Sequence, residues 1–324
     1  MRRCIVAVLV ILFASVAAAA QQPSQAPWPT APVRIVVPFG AGATPDVVAR
    51  LIADYLHDKT NVPFVVENKP GASGNSGTDV VAKAAPDGAT IGVSIGGPLA
   101  INTLLFSNLP YDPKKDLTLI TMLVSQPSVL AVNASLGVTT TKQLVDLIKA
   151  NPGKYAYGSI GTGSLSQLAM EAIALKSRTQ LVHVPYSSSP QAVTALIRND
   201  VQMICLPAIS VTPQLSSGKI KILAVSTAER SALLPDIPTL KEAGIDVEAD
   251  AWNGLIAPAG IPGAMAERIR ALVTEALESR PIREKLTAQL MEPVPDTPEE
   301  FRARIDADIA RWTPVIEAAK IKIQ

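Results

Sequence analysis

The chain of 324 residues carries 29 basic and 28 acidic side chains, so its formal net charge is +1 at pH 7. This nearly equal number of positive and negative charges gives no electrostatic reason to expect nucleic acid or an anionic lipid surface as a partner. The length suits about two domains of roughly 100–200 residues, each with its own core.

The N-terminal residues 1–20 are predicted to be a secretory signal peptide. They begin with two arginines, continue as an apolar run and end in three alanines before a polar stretch. This order is typical of an exported chain cleaved after Ala20, so we expect a periplasmic location. Residues 21–31 are expected to form a loosely ordered leader. Because Cys4 is removed with the signal peptide, only Cys205 remains and no internal disulfide is expected.

The first predicted unit is a buried strand, a glycine-bearing turn and an amphipathic helix. Val33–Val37 is an apolar, β-branched run that Pro38 ends. Pro45 suits a first helical turn, and apolar residues then recur at helical spacing from Val47 to Leu56. A turn of this kind presents unpaired backbone N–H groups to an anion.

The middle of the chain continues to alternate between strands and helices. Further strands are predicted at residues 63–67, 90–94, 119–124, 128–132, 155–159, 181–185, 203–206, 222–225 and 255–258, and helices at 79–85, 141–149, 166–175, 190–198 and within the segment from 263 onward. Residues 68–77 hold three glycines and are predicted to be an irregular loop. The opening βαβαβ order predicts a mostly parallel sheet.

The pattern of the first unit recurs further along the chain. Tyr155–Ser159 is a predicted strand, Ile160–Ser164 is a second glycine turn, and Ser166–Leu175 is a helix. Ligands of such sheets bind beyond the carboxyl ends of the strands. Two matching units therefore predict two similar α/β lobes with a ligand cleft between them.

Several motifs together resemble one family, over nearly the whole chain from about Trp28. They are Pro38–Asp46, Glu67–Gly77, Lys83–Gly88, Leu109–Pro113, Gly158–Ser164, His183–Tyr186, Leu234–Thr239 and Trp252–Leu255. These segments are similar to signatures of the solute-binding receptors of tripartite tricarboxylate transporters, first known as Bordetella uptake proteins.

The resemblance implies an α/β fold with two lobes, the class II periplasmic binding fold, whose lobes are joined by crossing hinge strands. Lobe 1 would comprise residues 32–130 and 252–324, and lobe 2 residues 131–251. The implied function is capture of a small organic carboxylate and its delivery to the membrane subunits of a secondary transporter. We expect a monomer without enzyme activity, cofactor, metal or nucleic-acid partner.

The implied binding site is formed by both glycine turns and by neighbouring cleft residues. The predicted ligand-binding residues are Phe39, Ala41, Gly42, Thr44, Asp46, Ser94, Ser159, Thr162, Gly163, Ser164, Tyr186 and Trp252. Asp46 is expected to act as a cap or to orient water, since a carboxylate repels a carboxylate. His183 is expected to be an ordinary strand residue.

The chain departs from the family pattern at three places. Ala43 replaces the second glycine of the first turn, Gln167 stands where a histidine is common, and Ser187-Ser188 stand where Lys-Gly is usual. These differences leave the ligand open among dicarboxylates, tricarboxylates, aromatic acids and amino acids.

Three other interpretations compete with a transport receptor. Gly92–Gly96 fits the Gly-x-Ser-x-Gly pattern of serine hydrolases, with Ser94 as nucleophile and His183 as the one histidine downstream. The Gly40-Ala41-Gly42 turn could open a dinucleotide fingerprint, although Pro45 occupies the third glycine position. A sensory receptor that presents its ligand to a membrane kinase would have the same fold.

Overall fold

The computed structural model describes residues 28–322. The predicted signal peptide and most of the predicted leader lie outside these residues. At the described end of the leader, Trp28 is packed against lobe 1, which differs from the expectation of loose order. Trp28 is buried, its Nε1 donates a hydrogen bond to the Gly88 carbonyl at 2.9 Å, and its ring contacts Phe64 edge to face.

The described chain forms two sheets. The strands are β1 Val33–Val37, β2 Phe64–Asn68, β3 Thr90–Ile95, β4 Leu117–Gln126, β5 Ser128–Asn133, β6 Ala156–Ser159, β7 Val182–Pro185, β8 Met203–Pro207, β9 Ile220–Val225, β10 Ala251–Pro258 and β11 Glu292–Pro293. One sheet has the order β11-β4-β10-β3-β1-β2 and the other has the order β7-β6-β8-β5-β9. Each sheet is the centre of one lobe, which confirms the two-lobed α/β prediction.

Helices cover both faces of the sheets. They are α1 Thr44–Thr60, α2 Asn75–Ala82, α3 Asn102–Leu105, α4 Thr141–Lys149, α5 Leu165–Ser177, α6 Ser189–Arg198, α7 Ala208–Val211, α8 Gly263–Glu278, α9 Arg280–Thr287 and α10 Pro298–Ala319. A single wide helical turn, Gly97–Ile101, leads directly into α3.

The prediction of a mostly parallel sheet is wrong. In the first sheet β1 is parallel to β2 and β3, but β10 is antiparallel to both of its neighbours and β11 is antiparallel to β4. In the second sheet β5 is antiparallel to both β8 and β9. Two of the reversed strands, β5 and β10, are those that the chain enters directly after it crosses from one lobe to the other.

The direction of these strands determines where the two glycine turns lie. Because β4 and β3 are both antiparallel to β10, and β3 is parallel to β1, the carboxyl ends of β1 and β4 share one edge of the first sheet. In the second sheet the carboxyl end of β6 shares an edge with the amino end of β5. Only Pro127 separates β4 from β5. Both glycine turns therefore lie on the edges from which the chain crosses between the lobes.

The two crossing segments are held together by hydrogen bonds. The Ser226 backbone N–H donates to the Ser128 carbonyl at 2.8 Å, and the Ser226 hydroxyl contacts the same carbonyl and that of Ala249. The Ser125 hydroxyl donates to the Asp250 carboxylate at 2.8 Å. These contacts form a hinge at the base of the gap between the lobes.

The last helix contributes to both lobes. Phe301 and Ile305, near the start of α10, are buried with Trp252 in the core of lobe 1. Trp312 and Ile316, two turns later, are buried in the core that surrounds β5, β6 and α5 of lobe 2. The structure therefore differs from the predicted lobe boundaries, which gave residues 252–324 to lobe 1. It also places β5, from Ser128 onward, in lobe 2.

The glycine-rich segment is more regular than predicted. Helix α2 begins at Asn75, inside the loop expected at residues 68–77. The buried Asn75 side chain accepts hydrogen bonds from Asn102 at 2.6 Å and from the Tyr111 hydroxyl at 3.0 Å. These partners are 27 and 36 residues away, so no local pattern could have predicted this helix start.

Candidate ligand-binding site

The first glycine turn (residues 38–43) joins β1 to α1 and is held by Asp46. The Asp46 carboxylate is 2% exposed and accepts a hydrogen bond from the Gly42 backbone N–H at 2.8 Å. It also accepts from Arg50 and from the Asn68 amide, both at about 3 Å. Gly42 has a φ of +81°, a conformation that costs glycine little. The carboxylate thus fixes the turn from the side of the helix.

These hydrogen bonds determine the charge of Asp46. Burial alone would raise its pKa, but the hydrogen bonds from Arg50, the Gly42 amide and Asn68 outweigh burial and lower the pKa below its ordinary value. Asp46 is therefore an anion at neutral pH, and Arg50 compensates its charge.

Removing this carboxylate should destabilise the protein. We expect Asp46→Ala to lower the free energy of unfolding by about 2–3 kcal/mol at pH 7, because three donors lose a charged acceptor. Since the folded-state pKa is lowered, the contribution is present above the unfolded pKa of about 4 and is lost as the pH falls through the folded value. Urea unfolding at pH 7 and at low pH measures both effects.

Asp58→Ala is the matched control, because Asp58 is an exposed carboxylate on the same helix. It should change stability by no more than about 0.5 kcal/mol. Equal effects of the two substitutions would mean that the Asp46 contacts contribute nothing.

The second glycine turn (residues 160–164) joins β6 to α5 and is built in the same way. The Gly163 backbone N–H donates to the Gln167 Oε1 at 2.7 Å, and Gly163 has a φ near +78°. The Ser164 hydroxyl donates to the Gly161 carbonyl at 2.7 Å and accepts from the Gln167 N–H as the N-cap of α5. Gln167 thus occupies the place in lobe 2 that Asp46 occupies in lobe 1, four residues after the turn glycine.

Gln167 was identified from the sequence only as a departure from the family pattern. Its partner His183 lies on β7, where Nδ1 is 3.3 Å from the Gln167 Nε2 and Nε2 is 2.6 Å from the Ser159 hydroxyl. The imidazole also stacks on the Tyr157 ring, with centroids 5.0 Å apart. In both turns the side chain that accepts from the glycine N–H lies four residues after that glycine. This shared spacing could have indicated the role of Gln167 from the sequence.

The hydrogen bonds made by Asp46 and Gln167 limit which backbone amides of the two turns are available to a ligand. The N–H groups of Gly42 and Gly163 are both paired with side chains. Within residues 28–322, the N–H groups of Gly40, Ala41 and Thr162 have no hydrogen-bond acceptor. All three residues are exposed. These amides are thus the exposed backbone donors of the two turns that remain unpaired.

The remaining predicted site residues differ in their exposure. Thr44 begins α1 and is half-buried, and Phe39 is half-buried against Gly74. Tyr186 is half-buried beside Gly158. Ser159 is fully buried, with its hydroxyl bonded to His183 and Gly161.

Two predicted residues lie in the interior of lobe 1. Ser94 is 1% exposed and its hydroxyl is paired with that of Thr78 at 3.1 Å. Trp252 is 3% exposed, donates its indole N–H to Asp308 at 2.8 Å and contacts Phe301 edge to face. Neither side chain presents an exposed surface to the gap.

The described residues contain no arrangement for nucleophilic catalysis. Ser94 and His183 belong to different lobes and have other partners. Ser159 does contact His183, but Gln167 donates to Nδ1, so the Nε2 that faces the hydroxyl carries the proton. A general base needs the opposite tautomer, held by a carboxylate. No group of three or more His, Cys, Asp or Glu side chains in residues 28–322 is arranged to hold a metal ion.

A concavity of about 520 Å³ lies away from both turns, on the outer surface of lobe 2. Its lining includes the ends of α4 and α5 and the segment Ala243–Ile245, with Lys149 and Arg178 at its rim. Cations at helix carboxyl ends are ordinary partners of the helix dipole. The cations of this concavity therefore need no bound ligand to account for them.

Two α/β lobes joined by crossing segments, each with a glycine turn at the crossing edge, define the class of two-lobed solute-binding proteins. The chain belongs to the tripartite tricarboxylate transporter receptor family, whose sequence profile matches residues 48–321. None of the described helices is long and apolar enough to cross a bilayer.

Individual relatives agree with this assignment. The chain is 32% identical over 315 residues to protein BugT of Bordetella pertussis, covering 97% of each chain. An R. palustris protein solved with adipate is 33% identical, with a TM-score of 0.80 over 91% of this chain and 99% of its own. MatC of Rhodopseudomonas palustris, solved with malate, is 30% identical, with a TM-score of 0.75 over 89% of this chain and 100% of its own. The family and its solved members are solute-binding proteins rather than enzymes, which overturns the hydrolase and dinucleotide interpretations.

Proposed function

We propose that this protein captures a small organic carboxylate between its two glycine turns and delivers it to the membrane subunits of a tripartite tricarboxylate type transporter. Export to the periplasm, by the signal peptide predicted in residues 1–20, and action as a monomer are part of the same proposal.

One observation carries the proposal: both turns lie on the edges that adjoin the interlobe crossing, and both have exposed backbone N–H groups without an acceptor. These are the amides of Gly40 and Ala41 in the first turn and of Thr162 in the second. Each turn also precedes a helix of 17 or 13 residues, α1 or α5. The amino end of such a helix carries roughly half a positive charge. Two of these ends can attract an anion without an arginine in the gap.

A carboxylate that contacts both turns stabilises the closed arrangement of the lobes over an open one, because only the closed arrangement offers both sets of donors. The transporter would then recognise the closed lobes. The adipate and malate bound to solved relatives support a carboxylate as the ligand class.

The test is native mass spectrometry of the mature protein purified from the periplasm, followed by thermal unfolding with adipate, malate, citrate, benzoate and glutamate. We expect one acid class to raise Tm, since ligand at 100 times its Kd adds about 2.7 kcal/mol of stability. No bound mass and no shift with any of these acids would contradict the proposal.

A pair of variants tests whether the acid that raises Tm binds at the second glycine turn. Thr162→Glu places a negative charge in the second glycine turn and should abolish the thermal shift without lowering Tm in the absence of ligand. Thr287→Glu changes an exposed threonine at the end of α9 and should leave the shift intact. A shift that survives Thr162→Glu would place the ligand elsewhere.

A further inference from the structure

Three side chains behind the second glycine turn, those of Gln167, His183 and Ser159, form a continuous chain of hydrogen bonds with its backbone. The Gly163 N–H contacts the Gln167 side chain at 2.7 Å, Gln167 contacts His183 at 3.3 Å, and His183 contacts the Ser159 hydroxyl at 2.6 Å. Ser159 in turn accepts from the Gly161 N–H at 3.1 Å. The chain therefore starts and ends on the backbone of the turn that we propose binds the carboxylate.

The direction of each bond follows from the backbone. The Gly163 N–H can only donate, so the Gln167 atom that faces it is the carbonyl oxygen. The other Gln167 atom is then the NH2 group, which donates to the His183 Nδ1. An imidazole that accepts at Nδ1 and is neutral carries its proton on Nε2, where it donates to Ser159. The turn geometry thus requires one tautomer and one charge state of His183.

The surroundings of His183 favour that neutral state. Burial lowers the pKa of its imidazole below the ordinary value of about 6.5. The titratable groups packed nearby are Tyr157, which stacks on the ring from β6, and Glu171 on α5, which accepts a hydrogen bond from the Tyr157 hydroxyl. Gln167 and Ser159 are uncharged, and the neighbours of His183 on β7, Val182 and Val184, do not titrate.

We propose that Gln167 and neutral His183 are positioning residues for the second glycine turn, and that protonation of His183 weakens carboxylate binding. A protonated ring must donate from Nδ1, which faces the Gln167 NH2 donor. Gln167 can relieve that conflict only by reversing its amide, and its NH2 would then face the Gly163 N–H. Either way the turn loses the support that orients the Thr162 amide. This inference rests on the proposed function of the turn.

The binding test compares pH profiles of Kd for the acid in the panel that gives the largest thermal shift. For the wild type we expect Kd to rise by up to about tenfold per pH unit once the pH is below the His183 pKa. His183→Gln should bind more weakly at pH 7.5 but with a flatter profile, because its amide can still donate to Ser159 and does not titrate. The titration of the ligand is common to both proteins and cancels in the comparison.

His57→Gln is the matched control, since His57 is the other histidine of the chain and lies exposed on α1. Its pH profile should match that of the wild type. An equally steep profile in His183→Gln, or an affinity that rises on acidification, would overturn the proposal.

A second measurement needs no ligand. Nitrogen NMR of the two imidazole rings, assigned with His57→Gln, should show His183 neutral at pH 7.5 with its proton on Nε2. A proton on Nδ1, or a charged ring, would overturn the inference even if carboxylates bind. Conversely, the expected tautomer together with no binding of any acid would mean that the proposed function, rather than this geometry, is wrong.

Discussion

Arg304→Met is expected to lower the free energy of unfolding by about 3–5 kcal/mol, whereas Asp308→Asn is expected to change it by no more than about 1 kcal/mol. Both side chains belong to one mostly buried network on α10. The two expected losses differ in size because the network contains more negative than positive side chains.

Two guanidinium groups face three carboxylates. Arg304 contacts Asp250 at 2.7 Å and Asp308 at 3.3 Å, and Arg311 contacts Asp308 at 2.9 Å and Glu248 at 3.0 Å. Loss of Arg304 leaves two buried carboxylates and Glu248 with one cation. Loss of the Asp308 charge instead leaves two cations with two anions. The single asparagine oxygen can still accept from either the Trp252 indole or Arg311, so one of these two hydrogen bonds is kept.

The pKa of Asp308 is consistent with this imbalance. Burial raises it above the ordinary value, despite the opposing effects of Arg304, Trp252 and Arg311. A carboxyl group with a raised folded-state pKa binds a proton that the unfolded chain has already released. Lowering the pH through that range should therefore reduce the cost of Arg304→Met.

Urea unfolding of both variants at neutral and mildly acidic pH measures these differences. Arg280→Met is the matched control, because Arg280 pairs with Glu284 at an exposed position and such pairs contribute about 0–1 kcal/mol. A cost for Asp308→Asn as large as that for Arg304→Met would contradict the charge count.

Trp312→Ala should also cost about 3–5 kcal/mol. Its ring is 1% exposed and lies in the core of lobe 2, although α10 begins in the core of lobe 1. The loss of this ring leaves a cavity where the helix joins the two lobes. Denaturant unfolding monitored by circular dichroism measures the cost.

Trp312→Phe is the informative companion to this substitution. The Trp312 Nε1 is buried and has no hydrogen-bond partner in the described part of the chain. Phenylalanine removes that orphan donor and keeps most of the ring, so we expect a much smaller loss than for alanine. A loss below about 1 kcal/mol for Trp312→Ala would mean that α10 contributes little to the core of lobe 2.

Local sequence patterns were sufficient to predict many of the strands and helices. The β-branched run at β1 and the threonine-capped helix α4 were predicted within a residue or two, because alternation, capping and glycine or proline breaks act over a few neighbouring residues. The two glycine turns were identified in the same way.

The contacts of the predicted site residues could not be derived from the sequence. Ser94 and Trp252 were expected at the gap, but their partners are Thr78 and Asp308, which only the folded chain brings close. Gln167 was recognised as unusual without a role, because that role depends on His183, 16 residues away on another strand.

The sequence by itself determined that two β-turn-α units with glycine turns are present and that each turn can offer backbone donors at a helix start. The tertiary structure alone decided which donors remain available, because Asp46 and Gln167 accept from the amides of Gly42 and Gly163 and leave those of Gly40, Ala41 and Thr162 unpaired. It also decided that the strands next to the crossings are antiparallel and that α10 belongs to both lobes. The physical reason is that strand pairing and core packing join residues far apart in the chain, whose contacts leave no periodic signal in the sequence.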